Sequence, residues 1–166
     1  MAEKNKTNVM RILDQKKVPY TPYHYPHQDA PVDALEVSRM LGIPPEKVFK
    51  TLVAKGASSR YLVFVIPAKA ELDLKKAARA AKEKSVEMIH VKELNAVTGY
   101  IRGGCSPIGM KKLFPTFFAE EAEKLSTILV SAGRIGSQVE ATPEALLKLT
   151  AGSFADLTVE KEGEAL

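Results

Sequence analysis

VFKTLVAKGASSRYLVFVIP, residues 48–67, decides the architecture. Two runs rich in β-branched and aromatic residues, 48–55 and 60–67, flank the turn Gly56-Ala57-Ser58-Ser59, and that pattern reads as an antiparallel hairpin. Along the first run Val48, Lys50, Leu52 and Ala54 share one face, and Phe49, Thr51, Val53 and Lys55 share the other. One face therefore carries a lysine among apolar neighbours. Two readings of Lys50 stand. It is directed into a cleft toward an anion, with its pKa shifted, or it is an edge lysine whose stem lies on apolar surface and whose ammonium stays in water.

Upstream of the hairpin, Thr7 can cap a helix over residues 8–17 that turns Val9, Met10 and Leu13 inward, with Ile12 beside them. Pro19 and Pro22 stop it. Residues 20–25 (YTPYHY) then alternate like a strand, and Pro22 confines that strand to a sheet edge. Asp33 with Glu36 opens a short helix to Leu41 in the manner of a capping box, Gly42 closes it, and residues 44–47 make a tight turn. Downstream, residues 73–84 form the clearest helix, with Leu74, Ala77, Ala78 and Ala81 on one face and Lys75, Lys76, Arg79, Lys82 and Glu83 on the other. A strand over 86–89, a helix over 91–97 and strands over 116–119, 126–131 and 138–141 follow. Thr142-Pro143-Glu144 starts a last helix through Leu149. Short strands mixed irregularly with helices predict an α+β fold with a mixed, largely antiparallel sheet flanked by helices, not a doubly wound one.

The chain has 166 residues, enough for one domain spanning 1–166. Its 45% hydrophobic and 27% charged residues exclude long disorder, collagen and a coiled coil. The longest nearly apolar run, residues 61–68, is far short of the ~20 residues a membrane helix needs. The first residues, MAEKNKTNVMR, hold no apolar core of a signal peptide, so a cytoplasmic protein without anchor is expected. One cysteine, Cys105, leaves no internal disulfide and no multi-cysteine metal site. A net charge of +4 permits a nucleic-acid partner without establishing one, and suits contact with one end of an RNA better than the coating of a duplex.

Four stretches could carry chemistry. Arg102-Gly-Gly-Cys-Ser-Pro-Ile-Gly109 holds three glycines and a proline, so it is either a ligand-facing loop of backbone N–H groups or a tight turn before the next strand. Lys50-Thr51 is the second. Residues 20–27 bring three tyrosines and the pair His24 and His27, which lack an acidic or cysteine partner at zinc-ligand spacing. Those aromatic rings could stack on a base or ribose, or pack an edge. Ser131-Ala-Gly-Arg-Ile-Gly136 is the fourth, a glycine-bearing turn between strands. Nucleophile elbow, Walker loop, dinucleotide fingerprint and HExxH are absent, as is any defensible Ser-His-Asp set.

Taken together and in order, residues 48–52 (VFKTL), 72–76 (LDLKK), 86–88 (VEM), 98–100 (TGY), 103–109 (GGCSPIG) and 130–133 (VSAG) resemble the YbaK family of free-standing Cys-tRNA(Pro) deacylases, related to the editing insertion domain of bacterial prolyl-tRNA synthetase. The resemblance spans roughly residues 6–157. It implies a partly closed mixed sheet and hydrolysis of the ester between a wrong amino acid and tRNA(Pro), with neither cofactor nor metal. The family's essential lysine falls on Lys50 and its following threonine on Thr51. Its GxxxP substrate loop falls on Gly103, Gly104, Ser106 and Pro107, and pocket positions fall on Tyr25, Ser131 and Gly133. Two positions depart: Asp33 stands where a cysteine-specific relative has phenylalanine, and Gln138 where it has aspartate. Both bear on which amino acid is accepted. The implied partners are the acceptor end of mischarged tRNA(Pro) and prolyl-tRNA synthetase in a transient complex. An aminoacyl ester is already activated, so its hydrolysis needs positioning and oxyanion stabilisation more than a strong protein nucleophile. The substrate's own thiol or 2′-hydroxyl can serve as that nucleophile.

Overall fold

The hairpin forms as its sequence requires. In the computed structural model, which describes residues 6–26 and 33–160, β2 (Phe49–Gly56) and β3 (Tyr61–Pro67) pair antiparallel, with Phe49 opposite Pro67 and Lys55 opposite Tyr61. On the far edge of β3 lies β5 (Thr116–Ala119) and beyond it β8 (Ser153–Ala155), both parallel, while β4 (Val86–Met88) pairs antiparallel with the outer edge of β2. The order is β4-β2-β3-β5-β8. With neighbours on both edges and cover on both faces, Leu62 through Ile66 of β3 are fully buried. A second, antiparallel sheet is built from β1 (Thr21–His24), β7 (Ser137–Ala141) and β6 (Ile128–Ser131). The two sheets meet at an isolated parallel bridge from Val48 to Leu129 and do not close into a barrel.

Local chemistry sets the helices. α1 (Asn8–Gln15) is capped by Thr7 Oγ1, which accepts from Met10 N at 3.2 Å, and it buries Val9, Met10 and Leu13. α2 (Ala34–Leu41) is capped by Asp33, which accepts from Leu35 N at 2.7 Å; Gly42 ends it at φ 68°. Glu36 pairs with Arg39 one turn on. α3 (Leu74–Ala81) stops before residue 84, because Lys82 takes the left-handed conformation at φ 58°. Its packed face is Ala77, Ala78 and Ala81; Leu74, expected inward, is 42% exposed because it sits at the first helical position, clear of the sheet. α4 (Val91–Thr98) and α5 (Pro143–Thr150) stand where the sequence puts them. β8 and a 3₁₀ turn at Glu120–Lys124 were not foreseen; three strand residues are too few to alternate visibly. His27 and residues 161–166 lie outside the described residues. Among the described residues no helix is long and apolar enough to cross a membrane.

The feature that positions the site is an interruption. β4 is laddered to β2 only at Ala54–Gly56, and among the described residues the second sheet forms a β-bridge to this segment only at Val48. β4's reach ends with Ile89 N donating to Val53 O at 3.3 Å, so residues 49–52 have no β4 partner on that edge. Glu140 of β7 secures the near end. Its carboxylate accepts from Lys47 Nζ at 2.6 Å, from Tyr23 Oη at 2.7 Å and from Thr127 Oγ1. Burial pulls the Glu140 carboxyl up, but the bonds from Lys47, Thr127 and Tyr23 outweigh it and hold the pKa at about 2.

A folded-state pKa below the ordinary 4.5 stabilises the fold above that ordinary value, and the contribution fades as pH falls toward about 2. In acid denaturation followed by circular dichroism, Glu140→Gln is expected to lower stability at pH 7 and to flatten the loss between pH 4.5 and 2. An unchanged acid transition would show that the carboxylate does not secure this junction.

Candidate active site

A cleft of ≈ 510 Å³ opens over the unladdered edge of β2, with Phe49 through Val53 as its floor. Met88, Ile89, His90, Val91 and Leu94, running from the end of β4 into α4, make one wall. Tyr25, Ser131 and Gln138 of the second sheet face it. Arg102, Gly103 and Cys105 close the third side, and Asp33 and Val37 the fourth. The lining is mostly apolar with a few convergent polar groups, the usual make-up of a small-ligand site.

Lys50 is the half-buried cation of this cleft. Burial lowers its pKa, and the charges of Asp33 and Glu71 oppose that shift. The reading of Lys50 as a lysine directed into a cleft is the one the geometry supports, since an anion arriving here meets a partly desolvated ammonium.

The 102–109 loop is held from behind. Gly103 sits at φ 88°, a left-handed conformation in which a side chain is strained, and its backbone borders the cleft. A Cβ at Gly104 would lie 2.9 Å from the Cα of Arg134, so the loop and the 131–136 turn can approach only with glycine there. Tyr100 donates its hydroxyl to Ile108 O, and Ile108 N donates to Ser106 Oγ at 3.3 Å. Of the expected site residues, Lys50, Thr51, Tyr25, Gly103 and Ser131 are brought together around the cleft. Gly104, Ser106, Pro107 and Gly133 do not line it: Ser106 and Pro107 are buried behind the wall, and Gly133 packs on Tyr100 and Val9.

Burial pushes the Cys105 thiol up to about 12, with a weaker opposing contact from Thr98. A neutral thiol at physiological pH is a poor nucleophile. His24 is spent on Ser137 Oγ at 3.0 Å, and among the described residues no three His, Cys, Asp or Glu side chains are grouped to hold a metal. The cleft does contain two buried polar atoms without a hydrogen-bond partner, Thr51 Oγ1 and Gln138 Oε1. Unpartnered buried polar atoms of this kind are rare in native structures. The wall from Met88 to Leu94 and the guanidinium of Arg102 were not among the expected site residues. The run Met88-Ile89-His90-Val91 was the available signal, because its apolar side chains remain in reach of water where a core strand would bury them.

Comparison with known proteins agrees with this geometry. The aminoacyl-tRNA editing domain family matches residues 30–149. The chain belongs to that family. Over 156 residues it is 53% identical to an Enterococcus faecalis protein provisionally named as a Cys-tRNA(Pro)/Cys-tRNA(Cys) deacylase, EbsC, covering 94% of this chain and 95% of that one. Two solved structures share the editing-domain fold. One, described provisionally as a trans-editing enzyme for prolyl-tRNA synthetase, superposes with a TM-score of 0.79 at 24% identity, over 92% of this chain and 95% of its own. The other, a hypothetical protein, gives 0.82 at 19% identity, over 92% and 100%.

If the editing domain uses the partly desolvated ammonium, Lys50→Ala should lower kcat/KM for an aminoacyl-tRNA on the order of 10²-fold or more with no loss of melting temperature. A rate within a few-fold of wild type would remove Lys50 from the reaction. Cys105→Ala should keep most of the activity, because a thiol of pKa about 12 leaves roughly one molecule in 10⁵ ionised at pH 7. Complete loss in a folded variant would instead require a covalent acyl-thioester.

Proposed function

We propose that this protein is a deacylase that clears mischarged tRNA(Pro), with Cys-tRNA(Pro) as its preferred substrate, acting in the cytoplasm as one domain over the whole chain. The observation that carries the reading is the meeting of Lys50, the Gly103 backbone and two unpartnered acceptors in one cleft. The 53% identity to EbsC, provisionally named as a deacylase of Cys-tRNA(Pro) and Cys-tRNA(Cys), supports the cysteine preference. Its elements suit an ester that needs holding rather than activating. Lys50 attracts the terminal nucleotide or its phosphate, Tyr25, Thr51 and Ser131 bound the acyl group, and the glycine loop brings backbone donors to the carbonyl. Gly104, Ser106, Pro107 and Gly133 act by shaping that loop and the turn behind it.

With Cys105 neutral and no general base among the cleft's described side chains apart from His90 and Asp33 at its rim, the nucleophile we favour is the substrate's own thiol. Its attack on the carbonyl forms a β-thiolactone and breaks the ester bond, the thiol's proton passing to the departing ribose oxygen, and water then opens the thiolactone to free cysteine. A water oriented by the 2′-hydroxyl is the competing route. Asp33 and Gln138 leave alanine or another small amino acid as a second reading of the specificity. A non-catalytic RNA-binding module is the third reading, and retention of Lys50 beside an intact loop speaks against it. The net charge of +4 is small for a protein that selects a whole tRNA. We assign that selection to prolyl-tRNA synthetase in a transient complex.

A single-turnover panel of Cys-, Ser-, Ala- and Pro-charged tRNA(Pro) at saturating enzyme tests the reading, because binding then drops out of the comparison. Under the thiol route the cysteinyl ester is cleared far faster than the seryl ester. Pocket contacts between such near-isosteres account for only ~1–3 kcal/mol. Comparable rates on cysteine, serine and alanine would defeat the thiol route, and no hydrolysis of any of them would defeat the deacylase reading itself.

A further inference from the structure

The interrupted edge of β2 leaves main-chain groups aimed into the cleft. In a paired strand each residue presents its N–H and C=O to the same side, and successive residues alternate sides. Val48 C=O accepts from Ala68 N at 2.8 Å, which turns even-numbered residues of this stretch toward β3. Val53 C=O accepts from Ile89 N at 3.3 Å, and Ala57 N donates to Ser85 O at 3.0 Å, which turns odd-numbered ones outward. Thr51 lies between Val48 and Val53 and shares the outward parity. Its N–H and C=O therefore face the side where β4 has ended and the second sheet has only touched Val48. Thr51 Oγ1 and Gln138 Oε1, both buried and unpartnered, line the same opening, and Gln138 is only 6% exposed.

An α-amino acid in ester linkage carries the complement of such an edge. Its ammonium donates and its carbonyl accepts, one atom either side of Cα, which is the spacing by which two opposed residues of an antiparallel pair exchange both bonds. We propose that the aminoacyl group of the substrate docks on Thr51 as a one-residue strand, its α-ammonium donating to Thr51 C=O and its ester carbonyl accepting from Thr51 N–H. The remaining ammonium hydrogens are within the province of the two unpartnered acceptors. As the carbonyl turns tetrahedral, the Thr51 N–H is already placed on its oxygen. Main-chain recognition of this kind reads the α-amino acid as a class, whatever its side chain, and so rests on the deacylase reading without choosing among amino acids.

The test has two arms, both under single-turnover conditions with each rate divided by the ester's spontaneous hydrolysis. In the first, wild-type protein acts on Cys-tRNA(Pro) and on 3-mercaptopropionyl-tRNA(Pro), which keeps the thiol and lacks the amine. In the second, Thr51 is introduced as its α-hydroxy acid, so that an ester replaces the Lys50–Thr51 peptide and only the N–H of residue 51 is deleted; melting temperature checks the fold. Loss of the charged donor is expected to lower the enhancement by about 10- to 10²-fold, and loss of the N–H by on the order of 10²-fold. An enhancement within three-fold for the deamino ester, or a folded backbone ester at wild-type rate, overturns the proposal. The first arm decides alone if the backbone ester does not fold. Failure of wild type to hydrolyse Cys-, Ser-, Ala- or Pro-charged tRNA(Pro) would instead refute the deacylase reading on which the proposal rests.

Discussion

Everything at the site depends on β2 being held at both ends and left alone in the middle. Its far end is laddered to β4 through Ala54–Gly56, and its near end is pinned where Val48 bridges Leu129 and Lys47 reaches Glu140. The inner edge is fully committed to β3. A strand so constrained is held against fraying, yet it leaves an outer edge at residues 49–52 that is ordinarily covered. Here the cover is a cleft whose walls come from β4–α4, the second sheet and the glycine loop. Lys50 and Thr51 are thus fixed by two sheets at once, which is what precise placement of a reacting ester requires.

The electrostatics of the cleft disfavour its one thiol as a nucleophile. Burial holds the thiol of Cys105 at about 12, and the same desolvation pulls the half-buried Lys50 ammonium down. Both shifts have one cause, low local polarity, and it acts in the useful direction for each. A neutral Cys105 would not trap an acyl group, and a weakly hydrated Lys50 would meet an incoming anion without a large desolvation cost. Gln138 Oε1, an acceptor, and the Thr51 hydroxyl, which can accept or donate, are both left without a partner in the cleft.

Much of this was legible from sequence because it is local. Thr7, Asp33 and Thr142 cap their helices as their place before a helical pattern predicts, and the 48–67 hairpin is specified by its own alternation and turn. The lysine among apolar neighbours flagged the strand face that became the cleft. What stayed hidden is set by distant pairing. The parallel contacts β3–β5 and β5–β8 join segments far apart in the chain, and β8 is too short to announce itself. The interruption of the β2 edge depends on where β4 stops and on a single bridge to Leu129, neither of which leaves a local mark. The glycine loop shows a related limit: its motif is plain, yet only packing reveals that Gly103 and Cys105 face the cleft while Gly104, Ser106 and Pro107 support it from behind.

The most direct measurement is a crystal structure of the protein with a hydrolysis-resistant mimic of the substrate's end, adenosine carrying cysteine through a 3′-amide. The account predicts the cysteinyl group lying in the gap between Ile89 and Ser131 over residues 49–53, with the nucleotide extending past Lys50 and the Gly103 loop. Occupancy elsewhere, for instance in the shallow groove of ≈ 150 Å³ between Ile12, Leu113 and Leu149, with the β2 edge left empty, would contradict it.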